Sequence, residues 1–509
     1  MKINRDDLPK DPELLRRMVL SLLDDLDIKE RKLQRYLNML TKLLRWRYGP
    51  KRERVDEHQL FLFAGAMVEE NRDIPPVPPE GSVPKPSRQG HGRDRLPKHL
   101  ERRPLFYDLS EGEQQCPHCQ ERLQRIGEET SERLEYVPAS LYVIEERCAK
   151  YACPKGCTVV TATKPWQPIE KGLPGPGLLA HVVTSKYADH LPLHRQEQIF
   201  SRSGVDLSRQ TMCDWMGRCA ELVSPLFEEM KKRVLASKAV QTDDTPVGVL
   251  DPALPRTKTG RIWTYVGDTL HPFTVYDYTP NRRRDGPDEF LQDFSGYLQA
   301  DAYSGYDGIY RDPQRDVTEV ACWAHVRRKF YEAQETDIMR SMVMLAYIRL
   351  LYDVEREARD LRRDAAGRRV LRQEKSVVIL ADIEAYLRRE QTSVLPKSPI
   401  AEAIGYALGN WDALKRYCED GDLEIDNNGA ERALRGVAVG RKNWLFFGSD
   451  KGGHTAAVLT SLTTTCKRHD IDPEAYLRDI FERISAHPAN RLAELLPDQW
   501  QAARTTATS

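Results

Sequence analysis

Two groups of residues in this chain have types and spacings suited to chemistry. The first is sulfur. Cys116-Pro-His-Cys119 and Cys153-Pro-Lys-Gly-Cys157 are close cysteine pairs with 33 residues between them. Each pair forms a turn, and a tetrahedral zinc ion joins the two turns through four thiolates. Four thiolates leave no open coordination position, so such a zinc is structural. The competing reading is four buried free thiols, which would not need the turn-forming Pro and Gly. The second group is acidic. Asp243 and Asp244 end one strand-like run, Asp301 follows another, and Glu431 lies in a helix that restarts after Asp426-Asn427-Asn428. Carboxylates delivered from two strands and a helix suit Mg²⁺, or Mn²⁺ in its place. Two such ions serve phosphoryl transfer. The plainer reading of each acid is a surface group or a cap, with Glu431 paired to Arg435 at i,i+4.

Positive charge accompanies the acids. Arg327, Arg328 and Lys329 follow His325, and Arg432, Arg435, Arg441 and Lys442 surround Glu431. Cations beside metal-binding carboxylates are the arrangement a polyanion requires, and these seven are candidate DNA contacts. A solvated face is the alternative. Cys322 and Trp323 read as core.

These residues need elements to position them. Runs at 238–250, 260–268 and 271–279 are rich in β-formers and punctuated by turn signals, as in a meander. A further strand, GYLQADAY, precedes Ser304, and TEVACWAH leads into a helix expected from Val326. Residues 327–420 read as helix, and KNWLFFGS as a short apolar run. Residues 178–237 read as wholly helical. Within them Gly204 marks a turn, Ser208 an N-cap, and Met212, Trp215 and Met216 an apolar face. That is the form of a helix-turn-helix, or of an ordinary helical hairpin.

The N-terminal third is different. Val19, Leu26, Leu33 and Leu40 repeat every seven residues, with Leu23, Leu37 and Leu44 between them and Glu30 breaking the pattern. A short coiled coil over 12–47, hence a dimer contact, competes with an amphipathic helix packed on its own chain. From Arg31 to Arg54 there are nine basic residues and one acid; from Val83 to Arg103, seven and two. Seven prolines between Pro75 and Pro97 make 71–104 an extended strap.

The chain has 509 residues, 77 Lys plus Arg against 77 Asp plus Glu, 40% hydrophobic and 30% charged residues, and mean hydropathy −0.60. The length calls for several domains, and the apolar content excludes disorder throughout. No apolar run reaches the ~18–20 residues of a membrane span. The start is charged and unlike a signal peptide, so a cytoplasmic protein is expected. In that compartment ten cysteines argue for thiols or metal ligands over disulfides.

Long blocks of the sequence together resemble the insertion-sequence-sixty-six family of bacterial DDE transposases. They are TDDTPV, QADAYSGYD, ACWAHVRRKF, EIDNNGAERALRGVAVGRKNWLFFGSDKGG, CPHCQERLQRIGEETSERLEYVPAS and SKYADHLPLHRQEQIFSRSGVDLSRQT. The resemblance covers about 15–500. It implies a multidomain α+β chain with an RNase H-like α/β catalytic core, a helical insertion, an N-terminal coiled-coil helix, a small zinc-binding unit and a helical DNA-binding segment. Expected boundaries are 1–70, 71–104, 105–162, 178–237, 238–465 with the insertion at about 334–420, and 466–509.

Carried over by position, the family's triad falls on Asp243, Asp301 and Glu431, which would ligate two Mg²⁺. Asp244 stands where the family usually has Glu, Ala302 where it usually has Gly, and the second cysteine pair is one residue longer than usual. Neighbours on a strand face opposite ways, so Asp244→Asn is expected to keep appreciable activity. Implied partners are double-stranded DNA (element ends and target), further copies of the chain and accessory proteins of the same element. The implied activity is cleavage of element ends and joining of the 3′-OH to target. The competing expectations are a non-catalytic DNA-binding regulator or relic, and a nuclease without strand transfer.

Overall fold

Alternating apolar residues from Ala239 onward build a sheet whose strands are β1 (Ala239–Val249), β2 (Lys258–Val266), β3 (Thr274–Thr279), β4 (Gly296–Ala300) and β5 (Val317–Ala321). A two-residue strand, β6 (Phe446–Phe447), adds to β1. The structure is a computed structural model that describes residues 141–145, 150–152, 159–161, 166–170 and 172–508. The heptad helix, the strap and Cys116, Cys119, Cys153 and Cys157 lie outside the described residues. The chain divides into one unit of 75–163 and another of 1–74 with 164–509. In the smaller unit, Lys150–Ala152 and Val159–Thr161 pair as an antiparallel ribbon.

In the larger unit the sheet order is β3-β2-β1-β4-β5. The first three strands are an antiparallel meander, with Asp243 opposite Thr264 and Asp244 opposite Trp263. β4 then pairs parallel to β1, and β5 parallel to β4. Three antiparallel strands followed by two parallel ones in this order make the mixed sheet of an RNase H-like core.

The principal helices are α1 (Pro176–Tyr187), α2 (Leu193–Arg202), α3 (Arg209–Leu235), α4 (Trp323–Ala333), α5 (Ile338–Asp360), α6 (Val377–Gln391), α7 (Pro399–Gly409), α8 (Asn428–Trp444), α9 (Asp450–Arg468), α10 (Pro473–Arg483) and α11 (Pro497–Thr508). The turn between α2 and α3 is as read: Gly204 sits at φ +77°, and Ser208 Oγ accepts the Thr211 N–H at 3.1 Å. Met212, Trp215 and Met216 are buried, in one apolar cluster with Leu179, Val240, Leu459 and Tyr476. Edge strand β3 is covered by α9: Ser461 Oγ accepts the Tyr276 N–H and Thr465 Oγ1 the Thr274 N–H. These hydroxyls satisfy edge N–H groups that would otherwise pair with another chain.

The helices α5, α6 and α7 form a second cluster around Ile348, Leu351, Ile383 and Ile404, packed on Val326 and Phe330 of α4. α4 begins at Trp323, three residues before the expected start. Cys322, its N-cap, makes no side-chain capping bond. The Trp323 N–H donates instead to Ile425 O (3.2 Å), a distant partner that leaves no local mark in the sequence. The apolar run KNWLFF is divided: α8 ends at Trp444, and Phe446–Phe447 form β6.

Candidate active site

β1 has eleven residues and β4 five. β4 pairs with Ala239–Gln241 and β6 with Gly248–Val249, so the same edge of β1 is without a strand partner between them. Asp243 lies in that gap. α8 crosses it. At its N-terminal end Asn427 Nδ2 donates to Thr242 O (3.3 Å); towards its C-terminal end Arg441 donates to Thr245 Oγ1 (3.1 Å) and to Pro246 O. Glu431, one turn into α8, is thereby carried alongside Asp243.

The start of α8 is fixed from several sides. The Asn427 N–H donates to Cys322 Sγ, and Tyr352 Oη of the insertion donates to Asp426 Oδ2 at 2.7 Å. Asn428 Nδ2 donates to the same oxygen, while Gln299 of β4 donates to Glu424 O. The EIDNN segment is thus a junction joining β1, β4, α4 and the insertion, which is why a helical insertion can sit between the second and third acids without displacing the latter.

Asp301 follows β4 directly. Burial, with added repulsion from Asp301, Asp244 and Glu431, pushes the Asp243 carboxyl up to about 7 against the Asp244 N–H that it accepts (2.8 Å). Burial also raises Asp301, against the pull of His325 and Arg282. His325 Nε2 is 3.9 Å from Glu431 Oε1, and burial lowers its pKa despite Glu431 and Asp301. Asp243, Asp301, Glu431 and His325 therefore share one electrostatic neighbourhood.

Asp244 is placed differently. Its buried side chain accepts from Arg261 Nη1 (2.8 Å) and from Arg282 Nη2 (2.8 Å) and Nε (3.1 Å). Arg282 also lies 4.0 Å from Asp301 Oδ2, and its guanidinium stacks 3.9 Å from the Tyr303 ring centroid. Sequence reading missed Arg282 and Tyr303. The available signal was the basic run Arg282-Arg283-Arg284 immediately after β3.

The expected cations divide. Arg328 and Lys329 act on His325, so they border the site, and Lys329 Nζ also lies over the Tyr406 ring. Arg327 acts on Tyr352 of the insertion. Arg441 is engaged with β1, whereas Arg432, Arg435 and Lys442 are exposed along α8.

Oxygen donors alone, with no sulfur among them, suit a hard divalent cation. The Asp243 and Asp301 carboxyls are raised first by burial, with repulsion from neighbouring acids adding to it. Among the described residues no three His, Cys, Asp or Glu side chains stand close enough together to hold a metal ion. The donor chemistry fits the ion.

Comparison with known proteins agrees along the chain. Residues 171–455 match the model of the "Transposase IS66 family", and 461–497 the "IS66 C-terminal element". Residues 113–156 match the "zinc-finger binding domain of transposase IS66", a span that takes in Cys116, Cys119 and Cys153 and stops before Cys157. Residues 35–104 match "Transposase C of IS166 homeodomain", a leucine-zipper-like element. Two uncharacterised proteins of Sinorhizobium fredii (strain NBRC 101917 / NGR234) align nearly end to end. y4qI is 34% identical over 96% of this chain and 97% of its own length, and y4jD 32% over 99% of each. A third, y4hP, is 36% identical over 75% of this chain and 72% of its own. No described helix is long and apolar enough to cross a membrane. The family implies DNA as a partner, a divalent metal and zinc. With its mixed sheet and these matches, the chain belongs to the IS66 family of DDE transposases, which are polynucleotidyl transferases.

Proposed function

We propose that the chain binds the terminal repeats of its insertion sequence, cleaves the element ends and joins each freed 3′-OH to target DNA. What supports this reading is that Asp243 on β1, Asp301 at the end of β4 and Glu431 on α8 lie in one electrostatic neighbourhood, with burial and then Asp301 and Glu431 raising the Asp243 carboxyl, and Glu431 3.9 Å from His325. These three side chains would hold the divalent ions. When bound there, a pair of such ions activates the attacking oxygen and stabilises the leaving one. The chain's own contribution is placement: α8 holds Glu431 across the gap in β1, and Arg282 brings a positive charge to the site's margin where a phosphate arrives. No protein nucleophile is required, because water and then the DNA 3′-OH attack in line.

The remaining parts have roles in the same scheme. Cys116, Cys119, Cys153 and Cys157 bind one structural zinc. The heptad helix pairs protomers. The basic strap, the zinc unit and the α2–α3 turn bind the element ends. Accessory proteins of the same element assist. A strand-transfer assay with the inverted repeats that flank the coding sequence tests the reading. Cleavage and joining in the presence of Mg²⁺ support it. Cleavage without joining would make the protein a nuclease, and binding with neither would make it a regulator.

A further inference from the structure

α8 ends in a feature that the packing of the fold does not require. Leu445, its C-cap, has φ 64° and ψ −49°. This is the geometry of a classic γ-turn, rare and strained for a residue with a side chain. Glycine would relieve it, yet the position carries Leu, and its side chain is not used in the core: Leu445 is 65% exposed. Phe446, next in sequence, is 42% exposed. The following residue anchors the pair. Phe447 stacks on Trp444 at 4.6 Å between centroids, and β6 pairs with β1. Two large apolar side chains are thus held out from the fold at a strained backbone position, the kind of site where strain is often stored for a function.

The surroundings indicate what they meet. Glu431, Arg435, Val439 and Lys442 recur at helical spacing on one line of α8, with exposed Arg432 beside them, and the line runs to Leu445. Arg432, Arg435 and Lys442 make no ion pair among the described residues. A row of free cations leading from a catalytic acid to an apolar tip complements a polyanion with a stacked interior. It does not suit a purely apolar protein surface. We propose that Leu445 and Phe446 form a wedge that enters the base stack of the DNA held at the active site. Apolar wedges of this type part a base step and kink the duplex.

The fold sets its distance from the chemistry. Leu445 lies fourteen residue steps beyond Glu431, just past the end of α8, about 21 Å at ~1.5 Å per residue. Phe446 lies opposite Gly248, five residues along β1 from Asp243, or about 17 Å at ~3.3 Å per residue. For a duplex lying along α8, at ~3.4 Å per base step, both paths put the wedge about five to six base pairs from the reacting phosphate.

The inference rests on the proposed transposase function, and its test separates the two. The probe is a duplex of the flanking inverted repeat with 2-aminopurine placed singly at up to ten positions on each side of the scissile bond. Full-length protein is added without magnesium, and binding is followed by anisotropy in the same samples. The expected result is a several-fold rise in 2-aminopurine fluorescence about five or six positions from the scissile bond. Leu445→Ala/Phe446→Ala should abolish that rise while weakening binding less than about tenfold. Phe446→Leu, which keeps an apolar tip on β6, should retain it. Bound DNA with flat fluorescence, or an unchanged rise in the double variant, overturns the wedge and leaves the transposase reading in place. So does flat fluorescence together with a changed oligomeric state of the DNA-free double variant, which would make the tip a contact between copies of the chain. Absence of DNA binding overturns both.

Discussion

Asp243 and Asp244 are adjacent, yet replacing each by Asn should move stability in opposite directions. The Asp244 side chain is 3% exposed and accepts three N–H groups from two guanidiniums. In Asp244→Asn the remaining oxygen makes weaker neutral bonds, the new NH₂ faces a guanidinium donor, Arg261 loses its counter-ion, and Arg282 keeps only Asp301, 4.0 Å away. Removing one partner of a buried pair costs ~3–5 kcal/mol. Arg261 and Arg282 keep 20% and 38% side-chain exposure, so water offsets part of this. About 2–3 kcal/mol should remain. Over the described stretch 172–508, about 340 residues, an unfolding entropy of ~2.1 cal/mol/K per residue turns that into a fall of about 3–4 °C in thermal midpoint.

Asp243 behaves in the reverse way. Its carboxyl is pushed up to about 7 in the folded chain, against ~3.9 unfolded. Between these values the folded state binds the proton more tightly, so the group's contribution to stability declines as pH rises from about 4 to about 7. Asp243→Asn removes that decline, a gain of at most about 4 kcal/mol above pH 7. Scanning calorimetry without added magnesium at pH 8 should show Asp243→Asn melting above the parent and Asp244→Asn below it. The Asp243→Asn advantage should shrink at pH 5. An unchanged midpoint for Asp244→Asn, or destabilisation by Asp243→Asn at pH 8, would refute the placement of the two side chains.

Three further outcomes follow from particular residues. The full-length protein should contain about one zinc per chain, lost in Cys116→Ser or Cys153→Ser; metal analysis finding none in protein never exposed to chelator contradicts the four-thiolate site. Arg372 and Glu355 form a buried bidentate pair in the insertion, with Arg372 also donating to Tyr417 O and Asp420 O. Arg372→Met should cost ~3–5 kcal/mol, and adding Glu355→Leu should recover most of it, as thermal unfolding will read. Deleting 1–104 removes the basic runs, so log K for element ends should fall less steeply with log salt; an unchanged slope would clear that segment of phosphate contacts.

Much of the fold was legible because its signals are local. Alternating β-formers mark β1, β2 and β3, and Gly204 with Ser208 marks the α2–α3 turn. The start of α4 was not legible, since its first N–H is satisfied by Ile425, about 100 positions away. The acids were visible as residue types, but the placing of Glu431 beside the gap in β1 depends on Asn427 and Arg441 spanning it, which no spacing reveals. The difference between Asp243 and Asp244 followed strand alternation only in part. Alternation turns one of them away from the site, but the consequence for Asp244 lies in Arg282, 38 positions later, and in the Tyr303 ring beneath it. Asp244→Asn is therefore expected to keep appreciable activity while losing stability through its two guanidinium partners.

The central claim is that Glu431 completes the catalytic set, and Glu431→Gln tests it most directly. The exchange keeps size and shape, and Glu431 is only partly buried, so DNA binding and the thermal midpoint should stay near those of the parent. Strand transfer with the flanking inverted repeats and Mg²⁺ should fall at least about a hundredfold, because an oxygen ligand for the divalent ions is lost. Strand transfer near the parent level from a folded, DNA-binding Glu431→Gln protein would contradict the account.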